Sequence, residues 1–98
     1  MDKVMLLAFF NNILDEEVNK VLKSLNVNGF SIIENVKGKG NTSGYHLGDN
    51  VFPDLNNTLI IVDSQKNIER IKSKLVDLKE KYKEEGIKIF ILPVLESI

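Results

Sequence analysis

Three short runs of this chain, Met5 to Phe10, Leu59 to Val62 and Ile89 to Leu92, are apolar at every position. A strand points successive side chains to opposite faces, so each run, read as a strand, is apolar on both sides. A chain holding such strands must find cover for two faces of a sheet. That requirement restricts the fold more than any other feature of the sequence.

Cover for one face is legible in the rest of the chain. Leu14, Val18, Val21, Leu22 and Leu25 fall at helical spacing and predict a helix over residues 13–26. Asp15, Glu16 and Glu17 would occupy its first turn, where the helix dipole favours acids, with Asn12 or Asp15 as cap and Glu16 and Lys20 as an i,i+4 pair. Asn26 to Gly29 supply the stop. A longer helix follows later: Ile68, Ile71, Leu75, Leu78 and Tyr82 alternate at three- and four-residue steps, capped by Asp63-Ser64 and ended by Gly86. Strands are expected at 3–10, 30–36, 58–62 and 87–95, which gives the order βαββαβ. The simplest closed arrangement with right-handed crossovers is ferredoxin-like: an α+β fold whose four-stranded antiparallel sheet carries both helices on one face. Leaving six or so apolar side chains bare on the other face would forgo on the order of 10 kcal/mol, at about 1.5 to 3 kcal/mol each. The expected cover is another copy of the same chain; a shifted register or the long central loop would be the alternatives.

With 98 residues the chain suits one domain, 1–98. Thirteen basic and fourteen acidic side chains leave a net charge of -1, so no overall field attracts nucleic acid. The absence of cysteine removes disulfides and thiolate chemistry and suits a cytoplasmic location. Val4 to Phe10 is apolar over only seven residues and is followed by Asn11-Asn12, which fits a strand better than a signal peptide. A membrane span would need roughly 18 apolar residues, so the protein is not expected to be membrane-embedded.

Residues 37–57, KGKGNTSGYHLGDNVFPDLNN, hold four glycines, a proline and four asparagines among 21 residues and predict a long loop without regular structure. Such a loop in a small domain points to function. Gly38, Lys39 and Gly40 can bring backbone N–H groups and one positive charge against a phosphate. Lys88, at the start of the last strand, is a candidate second cation. The run lacks both the dinucleotide fingerprint, since Ser43 stands where the third glycine belongs, and the P-loop pattern. Ser43, Gly44, Tyr45 and His46 are the candidate partner-contacting residues. His46 is the only histidine, so one chain holds no histidine-based metal site, and no metal is expected; a symmetric site with one ligand per subunit is the sole way histidine could serve. No nucleophile with an adjacent base, and no paired carboxylates in a cleft, can be assembled. An enzyme is therefore not expected.

The element order, the long loop between the second and third strands, the residues Val36-Lys37-Gly38-Lys39-Gly40 and the closing Ile91-Leu92-Pro93-Val94 together resemble the P-II nitrogen regulatory protein superfamily, in its shorter P-II-like branch. The resemblance implies a non-enzymatic signal-transduction protein, a homotrimer with an adenine nucleotide at the cleft between subunits. It also implies a T-loop, here residues 37–57, that reaches a target protein such as a transporter or an enzyme. Gly38, Lys39 and Gly40 match the base of that loop. The glycine- and lysine-bearing segment that grips phosphate before the last strand is reduced here to Glu84-Glu85-Gly86-Ile87-Lys88, and the sequence ends at Ile98, ahead of the arginines of longer members. ATP, ADP or AMP is accordingly expected to bind weakly. Two other readings share the architecture: a metal-responsive trimer resembling the CutA branch, with His46 as ligand, and a small ferredoxin-like enzyme whose site is completed by a neighbouring subunit.

Overall fold

A computed structural model describes residues 2–40, 44–46 and 55–98. Its elements are β1 (Lys3–Asn11), a 3-10 turn (Asn12–Leu14), α1 (Asp15–Ser24), β2 (Ser31–Val36), β3 (Gly38–Gly40), β4 (Gly44–His46), β5 (Asn56–Ser64), α2 (Gln65–Lys81), a second 3-10 turn (Lys83–Glu85) and β6 (Lys88–Pro93). The main sheet runs β2-β5-β1-β6 with every pair antiparallel, and β3 and β4 form a separate two-stranded ribbon. Both helices lie on one face. The fold is the ferredoxin-like α+β arrangement that the periodicity predicts.

The period-two rule sorts the strands. Leu6, Ala8 and Phe10 of β1 turn to the helices, in register with Ile61, Leu59 and Asn57 of β5. Val18 and Leu22 of α1 and Ile68, Ile71, Leu75 and Leu78 of α2 close over them, giving one buried cluster completed by Leu14 and Ile87. Truncating a central member such as Ile71 to alanine would cost about 2 to 5 kcal/mol through lost burial and the cavity left behind.

The boundaries differ from the sequence reading where side chains, not periodicity, decide them. Asn11, one residue before the expected cap, accepts a hydrogen bond from the Ile13 N–H at 3.0 Å and starts a 3-10 turn, so α1 begins only at Asp15. Lys20 pairs with Glu17 at 3.5 Å instead of with Glu16. The α2 cap is as expected: Ser64 Oγ accepts from the Asn67 N–H at 3.2 Å. Gly86 leaves the second 3-10 turn with φ 69°, in the left-handed region that glycine occupies without a Cβ penalty. β5 runs from Asn56 to Ser64, longer at both ends than the apolar run. Residues 37–57 are not wholly irregular, because the β3–β4 ribbon stands at the loop's base.

Candidate functional site

The take-off of the loop is built by a bulge. Ile33 pairs with Thr58, but Val36 pairs with Asn56, so Glu34 and Asn35 together face the single residue Asn57. Asn35 adopts φ 61°, a left-handed conformation that asparagine tolerates better than most residues. Its N–H has no regular ladder partner and donates to Asn57 Oδ1 at 3.1 Å. Asn57 Nδ2 in turn donates to the Asp15 carboxylate at 3.0 Å. Asn57 is only 2% exposed, so leaving either half of its amide unpaired would be costly. The bulge bends β2, and Lys37 leads directly into the ribbon, where Gly38 pairs with His46, Lys39 with Tyr45 and Gly40 with Gly44. The Asn12 N–H donates to the Leu55 carbonyl at 2.8 Å, which anchors the returning end of the loop beside the same turn.

The sheet face away from the helices carries Met5, Leu7 and Phe9 of β1, Ile33 of β2, Ile60 and Val62 of β5, and Phe90 and Leu92 of β6. Ile33, Val62, Phe90 and Leu92 retain 51, 40, 52 and 39% of their surface. This is the doubly apolar character read from the sequence. Covering those four would contribute roughly 2 kcal/mol each at about 25 cal/mol per Å².

Of the candidate residues, Gly38, Lys39, Gly40, Gly44, Tyr45 and His46 lie on the two strands of the ribbon, and Ser43 falls outside the described residues. Lys88 begins β6 opposite Phe9, in a cross-strand row that continues through Thr58 to Ile33 beside the bulge. It is therefore at the loop end of the sheet but on the opposite edge, three strand spacings or about 14 Å from β2. One chain alone does not bring Lys88 and the loop base together. Among the described residues no group of three or more His, Cys, Asp or Glu side chains is placed to hold a metal ion. Among the described residues no helix is long and apolar enough to cross a membrane.

Two features escaped the sequence reading. The Asn35–Asn57–Asp15 chain joins residues far apart in sequence, and Asn56-Asn57 looks like loop until β5 is seen to include it. A cavity of about 450 Å³ opens at the other end of the sheet, lined by Gly29, Asp63, Asn67, Arg70 and Ile71 among others. Arg70 is the chain's only arginine, the one signal that could have drawn attention there.

Residues 4–98 match the family model described as nitrogen regulatory protein P-II. The chain belongs to the P-II family. As a P-II chain its fold has many solved counterparts. One is CPII from Thiomonas intermedia bound to ADP and bicarbonate: TM-score 0.73, 16% identity, covering 93% of this chain and 84% of that one. A second structure of CPII, bound to ADP, AMP and bicarbonate, gives 0.71 at 18% identity over 96% and 89% of the two chains. Arabidopsis thaliana PII bound to citrate gives 0.69 at 17% identity over 95% and 78%. At such identities the likeness establishes a shared fold. A comparison with curated protein sequences finds no match.

Proposed function

We propose that this P-II chain is a non-enzymatic regulatory protein of the cytoplasm, working as a single-domain subunit (1–98) of a homotrimer. It takes an adenine nucleotide at the cleft between subunits and presents residues 37–57 to a target protein. The observation that carries the reading is the family match over residues 4–98. The geometry supports it: the apolar face of the sheet awaits cover, and packing it against other copies is the means of bringing Lys88 of one subunit toward the loop base of another. The CPII structures bound to ADP or to ADP and AMP favour these nucleotides as ligands.

In this reading Gly38 and Gly40 allow close backbone approach to phosphate while Lys39 and Lys88 supply charge. Ser43, Gly44, Tyr45 and His46 contact the target. Without a full phosphate-gripping segment before β6, the dissociation constant should be on the order of 100 μM or weaker. Calorimetry with ATP, ADP and AMP on the native protein and on Lys39→Ala tests the site. Weak binding that Lys39→Ala weakens further is the expected result; tight binding indifferent to Lys39→Ala would place the site elsewhere, and no binding at millimolar nucleotide would end the ligand-sensing half of the proposal.

A further inference from the structure

We propose that Asn57 is the positioning residue of the loop base, and that through Asp15 it ties the direction in which the loop leaves the sheet to the first turn of α1. The inference rests on the reading of residues 37–57 as the presented segment, and it adds a fixed structural origin for that segment's orientation.

A side-chain amide has one accepting oxygen and one donating NH2 group, and both ends of Asn57 are committed. Only one orientation of the amide serves both partners, because the Asn35 N–H requires an acceptor and the Asp15 carboxylate requires a donor. The Asn35 bond spans 22 residues and the Asp15 bond 42, so three elements meet at one side chain: β2 at its bulge, β5 and the start of α1. Asn57 lies opposite the bulged pair and replaces, with its side chain, the ladder acceptor that the extra residue displaces. Asn35, at φ 61°, is in a left-handed conformation that asparagine accepts, and its N–H is held by the Asn57 side chain. Three residues later the chain is already Gly38, the first residue of the ribbon.

Asp15 is the other half of the arrangement. It lies in the first turn of α1, where a carboxylate would ordinarily be explained by the helix dipole alone. Its bond to Asn57 gives it a second role: it holds the amide in the orientation that presents oxygen to Asn35. A shift of the first turn of α1 therefore reaches the bulge through two hydrogen bonds.

The test uses the full-length protein without any ligand or partner, so its failure is separate from failure of the binding reading. Amide hydrogen exchange is followed at Asn35 by NMR, with Leu6 and Ile61 as core controls and the Gly38 and Gly40 resonances as reporters of the loop base. In Asn57→Ala the Asn35 amide should exchange about tenfold faster, the change expected from one lost hydrogen bond, while the core controls stay put. Asp15→Ala keeps Asn57 in place and guards against a misfolded first variant; it should move Gly38 and Gly40 as well, whereas a purely local capping role would disturb only α1. Asn57→Asp sets two carboxylates against each other and should perturb the loop base, and adding Asp15→Asn should restore it, because the donor and acceptor have merely exchanged sides. Native exchange at Asn35 in Asn57→Ala, native Gly38 and Gly40 resonances in Asp15→Ala, or a swap that fails to restore them would each overturn the proposal.

Discussion

Phe9 and Phe90 meet edge to face on the side of the sheet that the helices leave bare, with ring centroids 6.1 Å apart and planes at 77°. The pair bridges β1 and β6 diagonally, since Phe90 stands opposite Leu7 and Phe9 opposite Lys88. Edge-to-face contact is favourable for aromatic rings, yet Phe90 still shows about half its surface. It is the most exposed member of the apolar face, and about half of its side chain makes no contact within the chain.

Replacing Phe90 with aspartate should therefore leave the subunit folded and break the assembly, because a buried unpaired charge is far costlier than the contact it replaces. Light scattering on the native protein should give about three times the chain mass of 11.1 kDa, and Phe90→Asp a value near one chain. An oligomer of unchanged mass would remove this face from the interface.

Exchanging residues 39–54 for a short turn should leave the fold intact. Among the described residues the buried cluster draws nothing from the loop, and shortening a loop changes closure entropy only slowly. Leu55 is retained because its carbonyl receives the Asn12 N–H. The melting temperature should stay within about 5 °C of native, and a loss of cooperative unfolding would show that the segment belongs to the core.

Two glycines should differ in their tolerance of a side chain. Gly86→Ala forces a side chain into a left-handed conformation and should destabilise by roughly 1 to 2 kcal/mol, with asparagine milder than alanine. At Gly29 an added Cβ would meet nothing within 4 Å, so Gly29→Ala should stay within about 0.5 kcal/mol of native. Urea denaturation of both variants gives the comparison directly, and equal effects would contradict it.

Ser64→Ala removes the side-chain acceptor for the Asn67 N–H at the start of α2 and should cost about 1 kcal/mol. Ser64→Asp keeps an acceptor and should recover most of the loss. The measurement is a shift of the urea midpoint with an unchanged slope. Equal midpoints for Ser64→Ala and native would mean that Asp63, which accepts from the Ser64 N–H and from Asn67 Nδ2, holds this end alone.

What could be read from the sequence was governed by local pattern. Ile68, Ile71, Leu75 and Leu78 announce α2 because a helix writes its buried face into a fixed spacing, and the apolar runs announce the central strands for the same reason. The bulge at Asn35 leaves no such trace. It exists only relative to β5, and its support comes from Asn57 and Asp15, residues whose types suit loops and helix starts equally well. The β3–β4 ribbon was hidden by its glycines, which ordinarily argue against a strand. The candidate site was legible as a glycine- and lysine-bearing segment, but not as a geometry, because Lys88 begins the β6 edge of the main sheet whereas Lys39 lies on the separate ribbon that follows the β2 edge.

The same bulge governs what the edge of the sheet can recruit. An exposed outer strand with an unbroken ladder is a template for further chains, and the strands of this sheet carry the apolar, largely β-branched and aliphatic runs that favour fibril growth. On β2 the regular pairing breaks after Ile33, and the left-handed Asn35 donates its own N–H to Asn57 Oδ1. The opposite outer strand, β6, begins with the charged Lys88 and ends with Pro93, which has no N–H to offer. Each outer strand is thus only six residues long and interrupted by a bulge or closed by a proline, which shortens the ladder that an incoming strand could extend.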